Sequence, residues 1–355
     1  MLKNRIAAAR GYLAQFAVDA ILFSDLCDIR YLSGFTGSEG VLLLDESGAR
    51  FLTDSRYTRQ ASEEVSGCTV MEFRDKIPTI VSLVGEVKAV SLGFQPASLT
   101  VASYLALQRS MPDVRLVPLG PEASMLRAVK DDTEIRCLAR AAEIASAAFH
   151  AILPSIRPGT AERDIAFQLE LAMRTSGADD KSFDIIVASG ERGALPHGRA
   201  GGKLVSPGDM VTIDFGAVLD GYHSDETVTV AVGEPDLRLR DVYRIVKEAH
   251  DLAVAAVCPG IALRELDAVA RDYISEEGYG QFFGHGLGHG VGLDVHEKPV
   301  VSFRSEGDIR EGMVFTIEPG IYLPGVGGVR IEDTVCVTAN GCRLLTRVSK
   351  DLLIV

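Results

Sequence analysis

Short apolar runs alternate with helical patterns over the first 120 or so residues of the chain. The segments are AILFS (20–24), GVLLLDESGARFLTDSRY (40–57), IVSLVGEVKAVSLG (80–93) and VASYLALQRSM (101–111). Strands of roughly four to seven residues that alternate with helices are typical of an α/β layer. The pattern therefore predicts an α/β domain in this part of the chain.

A break that contains proline and glycine, PLGPEASMLRAVKDD (118–132), interrupts this pattern. After it, Asp131 or Asp132 can cap a long helix, because a short acidic side chain accepts hydrogen bonds from the first free backbone N–H groups. One face of this helix carries apolar residues: Ile135, Leu138, Ala142 and Ala145. We predict a domain boundary here, with an N-terminal domain over 1–125 and a second domain over 126–355.

The second domain contains an internal repeat. Three segments recur: RPGTAERDI (157–165) as CPGIALREL (258–266), GDMVTIDFG (208–216) as EGMVFTIEPG (311–320), and SDETVTV (224–230) as IEDTVCV (331–337). In each half, helices are followed by a pair of strands, which predicts an α+β domain with a pseudo-twofold axis. The repeat superposes Asp214 on Glu318 and Asp225 on Glu332, so four acids are expected to face a shared centre.

A predicted hairpin brings the first two acids together. The dipeptide at 220–221 is Asp-Gly, a strong signal for a two-residue turn between antiparallel strands. A tight turn there places Asp214 opposite Thr227 and makes Asp225 a diagonal neighbour of Asp214, roughly 7 Å away at the backbone. Both carboxylates are therefore expected on one face of the hairpin.

The second half predicts a matching arrangement. Arg330 and Glu332 are two residues apart on a predicted strand, GVRIEDTVCV, and so share one face of it. Glu318 precedes Pro319, which biases it to extended geometry and ends its strand.

Four inward carboxylates repel one another in a low dielectric unless positive charge lies among them. Two divalent cations would balance them, and a neutral imidazole from the glycine-rich segment GHGLGHGVGLDVHE (284–297) would complete the ligand set. That segment carries His285, His289 and His296, and it fits neither a GxGxxG phosphate loop nor an HExxH zinc helix. Carboxylate-rich ligation favours manganese, with cobalt, iron or zinc as alternatives. Paired metals of this kind are used for hydrolysis.

Composition narrows the classes of function. The chain has 355 residues, 47% hydrophobic and 24% charged, which is ordinary for a globular protein. A formal net charge of -13 without a basic cluster argues against nucleic acid or an anionic membrane as partner. No apolar stretch reaches the length of a spanning helix, and the six cysteines form no CxxC pair. We expect a cytoplasmic protein of enzyme size.

At this point the motifs resemble a known family. The segments DFGAVLDGYHSDETVTV, GHGLGHGVGLDVHE, TIEPGIY and GVRIEDT resemble, in this order, the pita-bread metallopeptidases, specifically the proline-specific branch with aminopeptidase P and prolidase. The segments DIRYLSGFTGSEGVLLLD and FLTDSRYTRQA are similar to the creatinase-type N-terminal domain of that branch. The resemblance thus covers essentially the whole chain.

The resemblance implies roles for individual residues. The metal ligands would be Asp214, Asp225, His289, Glu318 and Glu332, which include the four acids that the repeat selects. The catalytic residues would be His197, His296 and Glu318, with Glu318 as proton shuttle. The substrate would be bound by His197, His285, His296 and Arg330.

The implied activity is hydrolysis of the Xaa-Pro bond in dipeptides or at the start of longer peptides, by an enzyme that forms a homodimer. The alternatives are a metal-free, creatinase-like hydrolase and a non-catalytic pita-bread binding protein; both are disfavoured because all five ligand positions hold ligand-type residues. One departure is Val228, where the family usually has an arginine. We expect metal binding to survive this departure and specificity to change.

Overall fold

The computed structural model describes residues 2–355. The chain divides into two compact units, the first ending at Arg127 and the second running Ala128–Val355. The first unit has five α-helices and six strands among the described residues: α1 (Leu2–Phe16), β1 (Ala20–Phe23), α2 (Leu26–Ser33), β2 (Val41–Asp45), β3 (Ala49–Thr53), α3 (Thr58–Glu64), β4 (Thr69–Glu72), α4 (Lys76–Glu86), β5 (Ser91–Phe94), α5 (Val101–Ser110) and β6 (Arg115–Pro118).

The strands of the first unit form one sheet in the order β4-β3-β2-β1-β5-β6. β1, β5 and β6 run parallel, whereas β2 pairs antiparallel with both β1 and β3. The central strands β1 and β2 are buried along their whole length, and apart from Asp45 at the end of β2 they consist of apolar residues. The predicted α/β domain is confirmed.

The second unit continues with α6 (Asp132–Ile152), α7 (Glu162–Thr175), β7 (Asp180–Lys181), β8 (Ile186–Ser189), β9 (Met210–Phe215), β10 (Ala217–Leu219), β11 (Tyr222–His223), β12 (Glu226–Ala231), α8 (Leu237–Ala256), α9 (Leu263–Glu276), β13 (Gly288–Gly290), β14 (Glu297–Val301), β15 (Val314–Ile317), β16 (Gly320–Leu323), β17 (Gly327–Arg330), β18 (Asp333–Thr338) and β19 (Gly341–Leu344). Helix pairs α6–α7 and α8–α9 pack together and the strands form short antiparallel sheets. No helix among residues 2–355 is long and apolar enough to cross a membrane.

Helix α6 begins at Asp132, and the structure selects one of the two candidate caps. Asp131 accepts hydrogen bonds from the N–H groups of Thr133 and Glu134, and the Glu134 side chain binds the Asp131 N–H in return. This reciprocal capping box satisfies backbone donors that would otherwise lack partners. The predicted apolar face of the helix is buried.

The internal repeat is visible in the hydrogen bonds. In the first half, Gly159 N donates to Val205 O before α7 begins. In the second half, Gly260 N donates to Ile309 O before α9 begins. The strand pairs are duplicated as well, because β9 pairs antiparallel with β12 and β15 with β18. The predicted pseudo-twofold α+β domain is confirmed.

The predicted hairpin register is also confirmed. Asp214 lies opposite Thr227, and the turn at 220–221 has positive φ at both residues, 49° and 70°, as a tight two-residue turn requires. The single strand predicted for GVRIEDTVCV was wrong. β17 ends at Arg330 and β18 starts at Asp333, because β17 pairs with β16 whereas β18 pairs with β15, so the chain changes partner between them.

Candidate metal centre

A cavity of about 1000 Å³ opens in the second unit. All nine residues predicted to form the site line it: His197, Asp214, Asp225, His285, His289, His296, Glu318, Arg330 and Glu332. They come from both halves of the repeat, so the pseudo-twofold arrangement gathers them at one place.

His289 lies among the carboxylates. Its Nδ1 is 3.2 Å from the carbonyl oxygen of Gly290, and this hydrogen bond leaves Nε2 as the nitrogen that faces the acids. Nε2 lies 3.2 Å from Glu318 Oε1 and 3.6 Å from Asp225 Oδ2. The imidazole is thus oriented by the backbone with its second nitrogen directed at the carboxylates.

Three side chains from separate segments form a compact donor group. One ligand-type atom each from Asp225, His289 and Glu332 lies within 4.8 Å of the others. Glu332 is held in place by Thr227, whose Oγ1 donates to Glu332 Oε2 at 2.6 Å. Asp225 and Glu332 are both buried, so these oxygens have little access to bulk water.

One carboxylate oxygen of Asp214 is hydrogen-bonded, and the other has no hydrogen-bond partner among the described residues. Its Oδ2 accepts a hydrogen bond from Arg330 Nη2 at 2.6 Å. Its Oδ1 is buried and has no hydrogen-bond partner among the described residues. A buried carboxylate oxygen without a donor is costly, and a cation would remove that cost.

The carboxylates of the cluster repel one another when they are ionised. Burial, and then the charge of neighbouring carboxylates, raises the pKa of both Asp225 and Glu332 well above the usual range. Burial alone would raise the pKa of Glu318, but the hydrogen bond and charge of His289 outweigh it and hold that pKa at about 2. Burial alone would lower the pKa of His289, but Glu318 raises it to about 9. A pKa of about 9 means that His289 carries a proton at neutral pH in the metal-free protein. These residues fit a divalent cation, which would displace the proton of His289.

Glu318 follows the end of β15, as its position before proline predicts. Thr316 connects it to the histidine segment: Thr316 Oγ1 donates to Glu318 Oε1 at 3.0 Å and accepts from His289 N, also at 3.0 Å. The Glu318 N–H donates to Leu287 O at 2.8 Å. Backbone and side-chain bonds therefore fix this carboxylate against the histidine.

A relay of hydrogen bonds runs along one wall of the cavity. Arg330 Nη1 donates to the Tyr322 hydroxyl at 3.1 Å, and that hydroxyl lies 2.9 Å from His285 Nε2. The His285 Nδ1 lies 2.8 Å from the carbonyl of Gly286, which accepts only, so Nδ1 carries the proton and Nε2 accepts from Tyr322. Burial lowers the pKa of His285, consistent with this neutral form.

The other two histidines occupy different surroundings. The ring of His296 lies 4.3 Å from that of His289, centroid to centroid, and burial, together with the charge of His289, lowers the pKa of His296. His197 follows Pro196 in an exposed loop that borders the cavity. The carbonyl of Pro196 accepts a hydrogen bond from Arg330 at 3.1 Å, which ties this loop to the buried wall.

Each loop that carries a cavity histidine is anchored by a fully buried acid that the sequence did not single out. Glu162 accepts hydrogen bonds from Ser189 N, Ser189 Oγ and Arg192 Nε, and so holds the loop of His197. Asp267 pairs with Arg271, whose Nη2 donates to the carbonyl of His285 at 2.7 Å.

Val228 lies on the strand face opposite Thr227. It is buried in the core of the second unit and does not line the cavity. The alternation of side chains along β12 directs Thr227 to the site and Val228 to the core. Val228, which replaces the family's usual arginine, therefore changes the face of β12 that packs in the core and not the face that carries Thr227.

Two family models match the chain. Residues 136–339 match metallopeptidase family M24, and residues 5–129 match the creatinase/prolidase N-terminal domain. The chain belongs to metallopeptidase family M24. The M24 match contains every residue of the cavity described above.

Several relatives of this M24 peptidase match over nearly their whole length. An Xaa-Pro dipeptidase from Bacillus anthracis has a solved structure that is 44% identical, with a TM-score of 0.97 and 100% of both chains covered. An X-Pro aminopeptidase structure from Thermotoga maritima is 39% identical, with a TM-score of 0.90 and 99% of both chains covered. An Xaa-Pro dipeptidase from Pyrococcus horikoshii is 39% identical over 99% of both chains.

Proposed function

We propose that this M24 peptidase hydrolyses the bond between an amino-terminal residue and proline, in Xaa-Pro dipeptides or longer peptides, with two divalent metal ions. The observation that carries the proposal is the group of Asp225, His289 and Glu332 donor atoms within 4.8 Å of one another at the cavity wall. The similarity to Xaa-Pro dipeptidases and to an X-Pro aminopeptidase supports the proline specificity.

The proposed ligands are Asp214, Asp225, His289, Glu318 and Glu332. The partnerless Asp214 Oδ1 and the mutual repulsion of Asp225 and Glu332 support this set, since each is relieved by a cation. Carboxylate oxygens with one imidazole nitrogen favour manganese, with cobalt, iron or zinc as alternatives. Bound divalent cations act as Lewis acids that polarise the scissile carbonyl and acidify water.

The remaining side chains supply proton transfer and orientation. Glu318 accepts a proton from the attacking water and delivers it to the proline nitrogen, which must be protonated to leave as an amine. His296 and His197 border the same cavity and donate hydrogen bonds to the substrate carbonyl and the region of the scissile bond. His285 and Arg330 orient this wall through Tyr322.

The shape of the cavity suits a proline ring. Phe183, Phe282 and Val300 contribute apolar side chains to its lining. A bond to proline is a tertiary amide without an N–H, so it cannot be gripped as an added strand. A concave site that binds the amino end, the carbonyl and the ring requires no strand pairing.

The test is product analysis with Ala-Pro, Ala-Pro-Ala and Ala-Ala, in manganese and in excess chelator. The proposal expects release of proline or Pro-Ala with metal, no release with chelator, and little cleavage of Ala-Ala. Glu318→Gln should abolish turnover, whereas the matched variant Glu306→Gln, at an exposed position, should match the wild type. Cleavage of Ala-Ala as fast as Ala-Pro would refute the proline specificity.

The proposal includes a homodimer in the cytoplasm, on the basis of the resemblance and the composition. Light scattering on the purified, metal-loaded protein tests the oligomeric state. A mass near that of one 38.1 kDa chain would contradict it.

A further inference from the structure

Arg199 presents an unpaired cation to the cavity. It is exposed and lines the cavity wall, and its guanidinium makes no hydrogen bond or ion pair to any residue in 2–355. Its backbone, by contrast, is fixed, since Arg199 forms an antiparallel bridge with Ile186. The charge is therefore held at a defined place and is available to a ligand.

An ion pair between Arg192 and a buried acid sets this position. Arg192 Nη2 donates to the carbonyl oxygen of Arg199 at 2.5 Å, and Arg192 Nε lies 3.0 Å from an oxygen of Glu162. Glu162 is fully buried at the start of α7. A guanidinium on an anchored backbone loses less entropy on binding a ligand than one on a free loop.

Arg330, the other arginine of the cavity, is already occupied. Its Nε donates to Thr227 Oγ1, its Nη1 to Pro196 O and Tyr322 OH, and its Nη2 to Asp214 Oδ2. Four of its five N–H donors are thus used. Arg330 cannot offer the two parallel donors that bind a carboxylate best.

The nearby acid, Asp184, forms no ion pair with Arg199, and the charge of Arg199 contributes less than Lys181 to lowering the pKa of this carboxyl. Asp184 also lines the cavity, but its Oδ1 pairs with Lys181 Nζ at 3.1 Å. His197 is two residues before Arg199, with the buried Gly198 between them, and both outer side chains are exposed at the cavity. The free guanidinium therefore borders the same cavity as the histidine that we place near the scissile bond.

We propose that Arg199 is a specificity-determining residue that binds the C-terminal carboxylate of an Xaa-Pro dipeptide. In such a substrate only the proline residue separates the scissile bond from the carboxylate, so that charge enters the cavity with the ring. The unpaired guanidinium of Arg199 at the cavity wall stabilises this carboxylate. The inference rests on the proposed function, and it makes the dipeptide, not the longer peptide, the preferred substrate.

The experiment compares Ala-Pro with Ala-Pro-amide, which lacks the negative charge, using the manganese-loaded wild type, Arg199→Gln and the exposed control Arg238→Gln. The wild type and Arg238→Gln should prefer the free acid by about ten- to a hundred-fold in kcat/KM, chiefly through KM, as expected for a hydrogen bond to a charged group. Arg199→Gln should lose that preference and keep its rate on the amide.

An unchanged preference in Arg199→Gln would overturn the inference. A second arm compares Ala-Pro-Glu-amide with Ala-Pro-Gln-amide. If Arg199→Gln changes only the preference in kcat/KM between these two longer peptides, the arginine binds an acidic side chain after proline. The assignment to the dipeptide carboxylate is then wrong. If the wild type cleaves none of the proline peptides, the proposed function fails instead, which separates the two failures.

Discussion

Arg330 Nη2 lies 2.6 Å from Asp214 Oδ2, and both side chains are almost removed from solvent, with exposed fractions of 4% and 14%. The same guanidinium reaches Thr227, Tyr322 and the carbonyl of Pro196. It therefore joins strand β9, strand β12 and the loop of His197. A residue that the resemblance places beside the substrate is, in its geometry, also the organiser of a proposed metal ligand.

Replacing this arginine should destabilise the metal-free protein. Arg330→Met removes the partner of a buried carboxylate, and we expect the free energy of unfolding to fall by about 3–5 kcal/mol. Arg330→Lys should recover little, because an ammonium cannot replace a planar fork that serves four acceptors. Denaturant unfolding in chelator measures the free energy of unfolding of both variants. Arg238→Met, at an exposed site, is the control, and an equal small loss in all three variants would contradict the prediction.

Removal of one hydroxyl should reduce activity with less effect on the fold. Tyr322→Phe removes one of the four acceptors of Arg330 and the hydrogen-bond partner of His285 Nε2, which costs about 1–3 kcal/mol, and we expect kcat/KM on Ala-Pro to fall roughly 5- to 100-fold. Steady-state kinetics at full metal loading measure this.

The matched control is Tyr243→Phe, since Tyr243 is buried and its hydroxyl donates to Lys350 O at 2.9 Å outside the cavity. Tyr243→Phe should lower the free energy of unfolding and leave kcat/KM unchanged. If both tyrosine variants lost activity in proportion to stability, the relay would have no specific role.

The four acids could be predicted from the sequence because strand alternation and duplication are local patterns. Asp214 and Asp225 are placed by one hairpin, and the repeat transfers that geometry to Glu318 and Glu332. The fold class of each domain follows from the same kind of short-range periodicity.

The supporting residues could not be predicted in this way. Thr227 binds Glu332 across 105 positions of the chain, and Glu162 holds a loop that begins 27 residues later at Ser189. A threonine on a strand or a glutamate at a helix start has an ordinary local explanation, and only the folded distance reveals its partner. The same holds for Tyr322, whose partners Arg330 and His285 lie 8 and 37 positions away in the chain.

A pH effect on stability is expected from a histidine outside the cavity. Burial alone would lower the pKa of His250, but the hydrogen bond to Asp251 and the ion pair with Asp333 outweigh it and raise that pKa above 6.5, against the opposing charge of Lys350. A raised folded pKa gives stability that is present below pH 6.5 and is lost as pH rises through the folded value. The stability advantage of wild type over His250→Gln should therefore be largest below pH 6.5 and shrink as the pH rises above that value.

Unfolding curves in chelator, measured for both proteins at each pH, test this expectation. The chelator removes the contribution of metal binding, which has its own pH dependence. An advantage that grows with pH would show that His250 is neutral in the fold and that its pKa is lowered.

Asp225 should have opposite effects on stability with and without metal. In the metal-free protein, burial and the nearby carboxylates raise its pKa well above the usual range, so its charge opposes folding, and Asp225→Asn should be at least as stable as the wild type in chelator. With manganese at about 100 times its Kd, the wild type should gain about 2.7 kcal/mol and the variant much less. Glu306→Gln should behave as the wild type in both conditions. A variant less stable than the wild type in chelator would show that Asp225 stabilises the fold without any cation.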